Sequence, residues 1–167
     1  MTPSADRRIR IEPLRGDHVT AGFDCGARLV NAWLGDAAAL QALHLARTFV
    51  AVDPGGRRAL GFYVLHGHHI QGRQVPAPLG PTLRPDAPIG CVHIAAFGVD
   101  RRHQGHGIGG RLFADALRRV KRVAAEVGVH AVVLDALDAH AAAFYRRFGF
   151  DPLAEPRRLW LRVADIP

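Results

Sequence analysis

Lysine is nearly absent from this chain. Of the 22 residues that are Lys or Arg, only Lys121 is a lysine, so almost every positive charge sits on a planar guanidinium. Cysteine is scarce as well. Cys25 and Cys91 stand far apart with no C-x-x-C spacing, which excludes a disulfide framework and a cysteine zinc site. No run free of Asp, Glu, Lys and Arg, residues 87–99 included, approaches the roughly 18 apolar residues of a membrane span. The opening Met-Thr-Pro-Ser-Ala-Asp-Arg-Arg has no apolar stretch behind its charges and does not read as a secretion leader. There is no internal repeat and no low-complexity tract. These absences together predict a soluble, cytoplasmic protein that does not engage a membrane.

What is present is the composition of one globular domain, residues 1–167. The chain is 49% hydrophobic and 22% charged, with a mean hydropathy of +0.02, which excludes disordered and collagen-like chains. A chain of this length buries roughly 70% of its unfolded surface without staples. The net charge is +7. Arginine pairs with phosphate through two parallel hydrogen bonds, so an Arg-rich surface suits a nucleic acid or a phosphorylated cofactor. A GC-rich genome gives the same bias, and charge alone does not choose between the two.

Patterning predicts a mixed α/β domain. Residues 8–14 alternate as an edge strand that stops near Pro13. Residues 27–46 have helical apolar spacing with Gly35 as a break. Residues 48–53 and 58–65 flank Asp-Pro-Gly-Gly as a hairpin. Residues 71–90 hold five prolines and predict a long functional loop. Then follow a buried strand at 91–99, a helix over 107–127, a strand at 130–135, a helix at 139–147 and a last strand at 159–163.

The richest glycine turn lies where the 91–99 strand meets the long helix: Gln104-Gly105-His106-Gly107-Ile108-Gly109-Gly110. Gly105, Gly107 and Gly110 fit G-x-G-x-x-G, but too few residues follow for a doubly wound dinucleotide fold. The same stretch reads Q-x-x-G-x-G. Glycines admit close backbone approach, and the N–H groups at a helix start face outward with a positive dipole, so the turn suits a pyrophosphate. A glycine turn that only packs the helix is the plain alternative.

Downstream runs Ala141-Ala142-Ala143-Phe144-Tyr145-Arg146-Arg147-Phe148-Gly149-Phe150. With Q-x-x-G-x-G before it, this pattern resembles the Gcn5-related N-acetyltransferase (GNAT) family. The resemblance implies a GNAT fold, a mixed central sheet with two splayed parallel strands and flanking helices. It also implies acetyl-CoA as co-substrate and transfer of the acetyl group to an amine. Backbone groups of Phe97 and Val99 would pair with the pantetheine amides, with Gly98 permitting close approach. Gln104, Gly105, His106, Gly107, Gly109 and Gly110 would hold the pyrophosphate, and Asp138 stands where the family often has an Asn on the pantetheine arm.

Phe23-Asp24-Cys25-Gly26, Asn31-Ala32-Trp33-Leu34 and Arg47-Thr48-Phe49-Val50 resemble the opening of one GNAT branch. It comprises toxins that acetylate the amino group of aminoacyl-tRNA and are held by a small ribbon-helix-helix antitoxin; a homodimer is compatible with it. That branch commonly has Arg-Leu-Ala-Val-Asp before the glycine turn. Here the run is Ala96-Phe97-Gly98-Val99-Asp100, a departure that bears on the acceptor and not on the cofactor strand. A small-molecule amine or a protein N-terminus is the alternative acceptor.

Tyr145 is the candidate catalytic residue. Phe144 and Phe148 lie one helical turn apart, which turns Tyr145 about 100° away from their face and weakens a core-packing role. A phenol with a pKa near 10 can protonate a departing thiolate. An α-amino group titrates near 7.7–8.0 and is partly neutral at cytosolic pH, so no strong base is required, and no residue in the motifs reads as one. His66, His68 and His69 fall on both faces of a strand with no Cys or carboxylate beside them in sequence, so no metal is expected. Arg111, Arg118, Arg119, Lys121 and Arg122 fall on the outer face of the long helix. Arg146, Arg147, Arg157 and Arg158 add cations near the candidate tyrosine.

Overall fold

The computed structural model describes residues 8–167; most of the segment read for a secretion leader lies outside them. The elements are β1 (Arg10–Pro13), α1 (Arg28–Ala42), β2 (Arg47–Val52), β3 (Gly61–Gln71), β4 (Pro88–Val99), α2 (Ile108–Glu126), β5 (Ala131–Asp135), α3 (Ala139–Arg146), β6 (Asp151–Leu153) and β7 (Glu155–Arg162). The strands join in the order β1-β2-β3-β4-β5-β7-β6. β4 and β5 pair in parallel. This is the expected mixed α/β class. Among the described residues no helix is long and apolar enough to cross a membrane.

Packing divides the chain into two compact units, and β3, β4 and α2 each run from one into the other. The first comprises residues up to His66 together with Ala96–Ala116. Its antiparallel meander registers Pro13 with Phe49 and Ala51 with Gly61, and β2 and β3 bury Val50, Ala51, Val52, Phe62, Tyr63 and Val64. Val30, Leu34 and Ala37 form the buried stripe of α1 at the spacing of one helical face. α1 runs unbroken through Gly35, contrary to the expected break. A glycine inside a helix costs only about 1 kcal/mol, which the burial of that stripe outweighs. The helix stops at Ala42 because His44 takes a left-handed φ of 56°. Leu45 then donates to the Leu40 carbonyl at 2.9 Å, satisfying one of the carbonyls a helix end leaves open.

The second unit comprises Gly67–Ala95 and Leu117–Pro167. Its core joins Ile70, Val75, Cys91, Ala131, Val133, Leu153 and Trp160. β5 and β7 register Val133 with Trp160 and Asp135 with Arg158. β6 has no counterpart in the sequence reading, and β7 starts earlier than expected. The reason is local: Pro152 interrupts any alternation and Ala154 turns at φ 56°, so the two strands present no period-2 signal. On α2, Leu117 and Val120 are buried while Val123, one turn on, is 40% exposed. Lys121 donates from Nζ to the carbonyls of Ile166 and Pro167 at 3.2 and 3.3 Å.

The proline-rich loop contains two short 3-10 turns, Gly72–Gln74 and Gly80–Thr82. It closes through Gly72 N–H to the Ala87 carbonyl at 2.9 Å and Arg73 N–H to the Pro85 carbonyl at 3.0 Å. A Cβ on Gly72 would lie 2.1 Å from the Arg84 carbonyl oxygen. Gly72→Ala should therefore destabilise the protein by about 1–3 kcal/mol, the range for overpacking, measured as a lower urea midpoint.

Candidate active site

The glycine turn joins β4 to α2 within the first unit. Asp100 follows β4 directly and is only 1% exposed. It accepts hydrogen bonds from Arg102 N–H and Nε at 2.9 Å each, from Arg102 Nη2 at 2.8 Å and from Asp24 N–H at 3.3 Å. The guanidinium of Arg102 holds this carboxyl far below the usual carboxylate range. Asp24 itself accepts from Asn31 Nδ2 at 2.9 Å and from Gly26 N–H at 2.8 Å, which lowers its pKa as well. Gln104 completes the anchor, its Nε2 donating to the Val99 carbonyl at 2.8 Å and the Cys25 carbonyl at 3.1 Å.

The turn held this way is open on its outer side. Gly105 and Gly107 both have φ +77°, and a Cβ on Gly105, Gly107 or Gly110 would meet no atom within 4 Å. Arg111 N–H donates to the Gly107 carbonyl at 3.3 Å, which opens the helix there and leaves the N–H groups of residues 108–110 without an intrahelical acceptor. No acidic residue lies in the first turn of α2. Donors, dipole and space thus suit a diphosphate. His106 is exposed, with Nδ1 3.3 Å from the His103 carbonyl, so its ring engages its own turn.

Two positions of the strand carry close contacts. Gly98 lies on the buried face of β4, where a Cβ would come within 3.0 Å of Cys25 Cβ and 3.1 Å of Val30 Cγ1. Packing against the Cys25 loop and α1 thus favours glycine there. The Val99 carbonyl, expected to face a ligand amide, already accepts the Gln104 side chain. Phe97 is on the other face, edge-on to Phe113 with the ring centroids 5.5 Å apart, an arrangement aromatic pairs favour. Gly109 packs in ordinary contact, its Cβ direction meeting Val99 and Phe97 at 3.7 and 3.9 Å. Cys25 gives no activated thiolate, because burial pushes its thiol up.

Tyr145 and Asp138 belong to the second unit. Tyr145 is the buried residue of α3, 9% exposed, edge-on to Phe144 at 5.3 Å and 6.3 Å from the Phe150 ring. The expectation that helical spacing turns it off the packed face is corrected: α3 buries position 145 and leaves Phe144 and Phe148 partly exposed. Burial pushes the phenol well above its ordinary value, so it stays protonated at neutral pH and is a donor rather than a base. Asp138 caps α3, accepting from Ala141 N–H at 2.8 Å, a structural use of the carboxylate expected on the pantetheine arm. His68 packs against His69 and His93, with centroids 6.1 and 5.4 Å apart. Among the described residues no three metal-ligating side chains converge.

Sequence reasoning missed Arg102 as the partner of Asp100, and it missed His93 and Asp135, whose pairing requires strand register. Asp24 stood inside a quoted motif, but its hydrogen bond to a side chain 76 positions away has no sequence signal.

Comparison with known proteins adds four likenesses. The acetyltransferase (GNAT) family model matches residues 77–150. The probable toxin TacT of Sinorhizobium fredii is 33% identical over 97% of this chain and 94% of its own. AtaT complexed with acetyl-methionyl-tRNAfMet is 26% identical, covering 94% of this chain and 96% of its own, with a TM-score of 0.84. A tyrosine-to-phenylalanine mutant of the AtaT toxin, bound to the C-terminus of the antitoxin AtaR and acetyl-CoA, is 26% identical over 93% of this chain and 94% of its own, with a TM-score of 0.76.

The buried Asp100 gives a test of the anchor. Its folded pKa is depressed, so its contribution is present above the unfolded value near 3.9 and is lost as pH falls through the folded value. Asp100→Asn should cost about 1–3 kcal/mol at pH 7, as for a lost charge-assisted bond. The gap to the parent should narrow as pH falls below about 4. Urea unfolding of both proteins at pH 7 and pH 3 measures this.

Proposed function

We propose that this chain, which belongs to the GNAT acetyltransferase family, transfers the acetyl group of acetyl-CoA to the amino group of aminoacyl-tRNA and so acts as a translation-blocking toxin. The observation that carries the donor half is the open glycine turn at the head of α2, with left-handed Gly105 and Gly107 and no acid in the first helical turn. The acceptor half rests on the end-to-end likeness to TacT and to AtaT complexed with acetyl-methionyl-tRNAfMet. The pyrophosphate would lie on the N–H groups of residues 108–110, with Arg111 one turn on adding positive charge. Phe97 and Val99 would offer strand backbone to the pantetheine, and Asp138 would stand beside its arm.

The chemistry is direct attack of a neutral amine on the thioester. The carbon–nitrogen bond forms, the carbon–sulfur bond breaks, and Tyr145 gives its proton to the sulfur. Burial raises the phenol, so the tyrosine is protonated at neutral pH. The raised thiol of Cys25 supports transfer without a covalent relay. Exposed Arg146 and Arg147 would meet tRNA phosphates, giving recognition by shape and charge more than by base sequence. The likeness to AtaT bound to AtaR supports a small antitoxin partner, and a charged tRNA as substrate sets the cytoplasm as the place of action.

Three measurements test this reading. Gly109→Val, at a position with no left-handed backbone and only ordinary contacts, should keep the fold but lose the rise in Tm that acetyl-CoA gives the parent. Tyr145→Phe should keep that rise while turnover falls by about 10²–10⁴-fold. Labelled acetyl-CoA offered to aminoacylated and deacylated tRNA should label only the charged pool, with binding that weakens steeply as salt increases. Label passing instead to a polyamine or a peptide N-terminus would overturn the tRNA assignment and leave acetyl transfer standing.

A further inference from the structure

The proline-rich loop takes no part in the acetyl transfer described above. Its residues 76–79 form one wall of a cavity of about 360 Å³, lined also by Asp151, Trp160, Arg162 and Asp165. All of these belong to the second unit. The volume is at the small end of ligand pockets. The loop wall is tied at both ends. Val75 is buried in the same core as Trp160, and Gly80 N–H donates to the Pro76 carbonyl at 3.1 Å. Pro76 and Pro78 fix their own φ, so a ligand meets a wall that needs little ordering. Asp151 of β6 stands directly opposite Trp160 of β7, and residues so paired share one face of a sheet at close Cβ spacing. The carboxylate therefore lies beside the indole. Arg162 commits its fork to Asp165, Nε to Oδ2 at 2.7 Å and Nη2 to Oδ1 at 3.1 Å. Asp151 is exposed and, among the described residues, makes no side-chain hydrogen bond or ion pair. In a chain of net charge +7, the charge left unpaired at this cavity is negative.

We propose that this cavity binds a small organic cation, a guanidinium or ammonium group on a short aliphatic stem. The charged end pairs with Asp151, and a guanidinium does so through two parallel hydrogen bonds. The Trp160 ring beside that carboxylate attracts the same charge through its π face. The stem lies against Pro76, Pro78 and the indole, which removes apolar surface from water. An anion would meet the Asp151 carboxylate uncompensated, because Arg162 is already held by Asp165. None of the residues given a role in acetyl transfer lines the cavity, so the site does not depend on which amine accepts the acetyl group.

Tryptophan fluorescence tests this directly. The chain has two tryptophans, so Trp33→Phe leaves Trp160 as the sole reporter, at the cavity itself. Butylguanidinium titrated into that protein should give a saturable change with a Kd on the order of 1 mM, as for a fragment of about eight non-hydrogen atoms. Pentanamide, of similar size and uncharged, should give none. Asp151→Asn keeps the shape and removes the charge, and should weaken binding about tenfold, the scale of one charge-assisted hydrogen bond. Arg162→Gln releases the Asp165 carboxylate and should tighten binding. Calorimetry on the chain with both tryptophans should return the same order of affinities. A flat titration to about ten times the expected Kd overturns the proposal. So does an equal response to pentanamide, or an Asp151→Asn protein that binds within about twofold of its parent.

Discussion

A carboxylate taken almost wholly out of water must keep its hydrogen-bond donors or lose its charge, and Asp100 is such a group. It closes β4, draws the backbone of Arg102 and its guanidinium back over itself, and reaches to the amide of Asp24. The direction in which the chain leaves the strand is thereby set before the glycines begin. Gln104 then ties the turn to the Val99 and Cys25 carbonyls. The glycines can adopt conformations closed to other residues because the ends of their loop are fixed independently. A flexible loop without that anchor would lose much of its pre-organisation for a charged ligand.

The two faces of β4 carry different demands. Val92, Ile94, Ala96 and Gly98 form the inner face, and its residues become smaller toward the turn, where the Cys25 loop and α1 leave no room at Gly98. Ala96 is 5% exposed on this same face. The arginine common at that position in the related branch would here start from a buried Cβ, so its loss fits the local packing. The opposite face carries His93, Phe97 and Val99, all partly exposed.

Elements with one dominant period were legible in the sequence: α2, β2, β5 and α3 all lie within a few residues of the pattern, whereas β3 runs on to Gln71, past the expected 58–65. The glycine turn was legible because its chemistry is local. What escaped was decided at a distance. Gly35 looked like a break because propensity is local, whereas burial of Val30, Leu34 and Ala37 is not. The packing of the Cys25 loop against Gly98 escaped because nothing in the strand shows it. Tyr145 looked turned away because the two phenylalanines seemed to define the inner face of α3, yet the helix settles on the tyrosine. The pairing of His93 with Asp135 needs the register of two strands joined through a long helix, which no motif encodes.

Lys121 has a consequence for the chain's own chemistry. A protein that acetylates amines is itself a potential acceptor, and side-chain acceptors are lysines. Here there is one, and its Nζ donates to the carbonyls of Ile166 and Pro167, which engages it against the chain's own backbone. Arginine supplies the rest of the positive charge in a form that stays protonated at all physiological pH values. The molecule thus carries its net positive charge with a single side-chain amine.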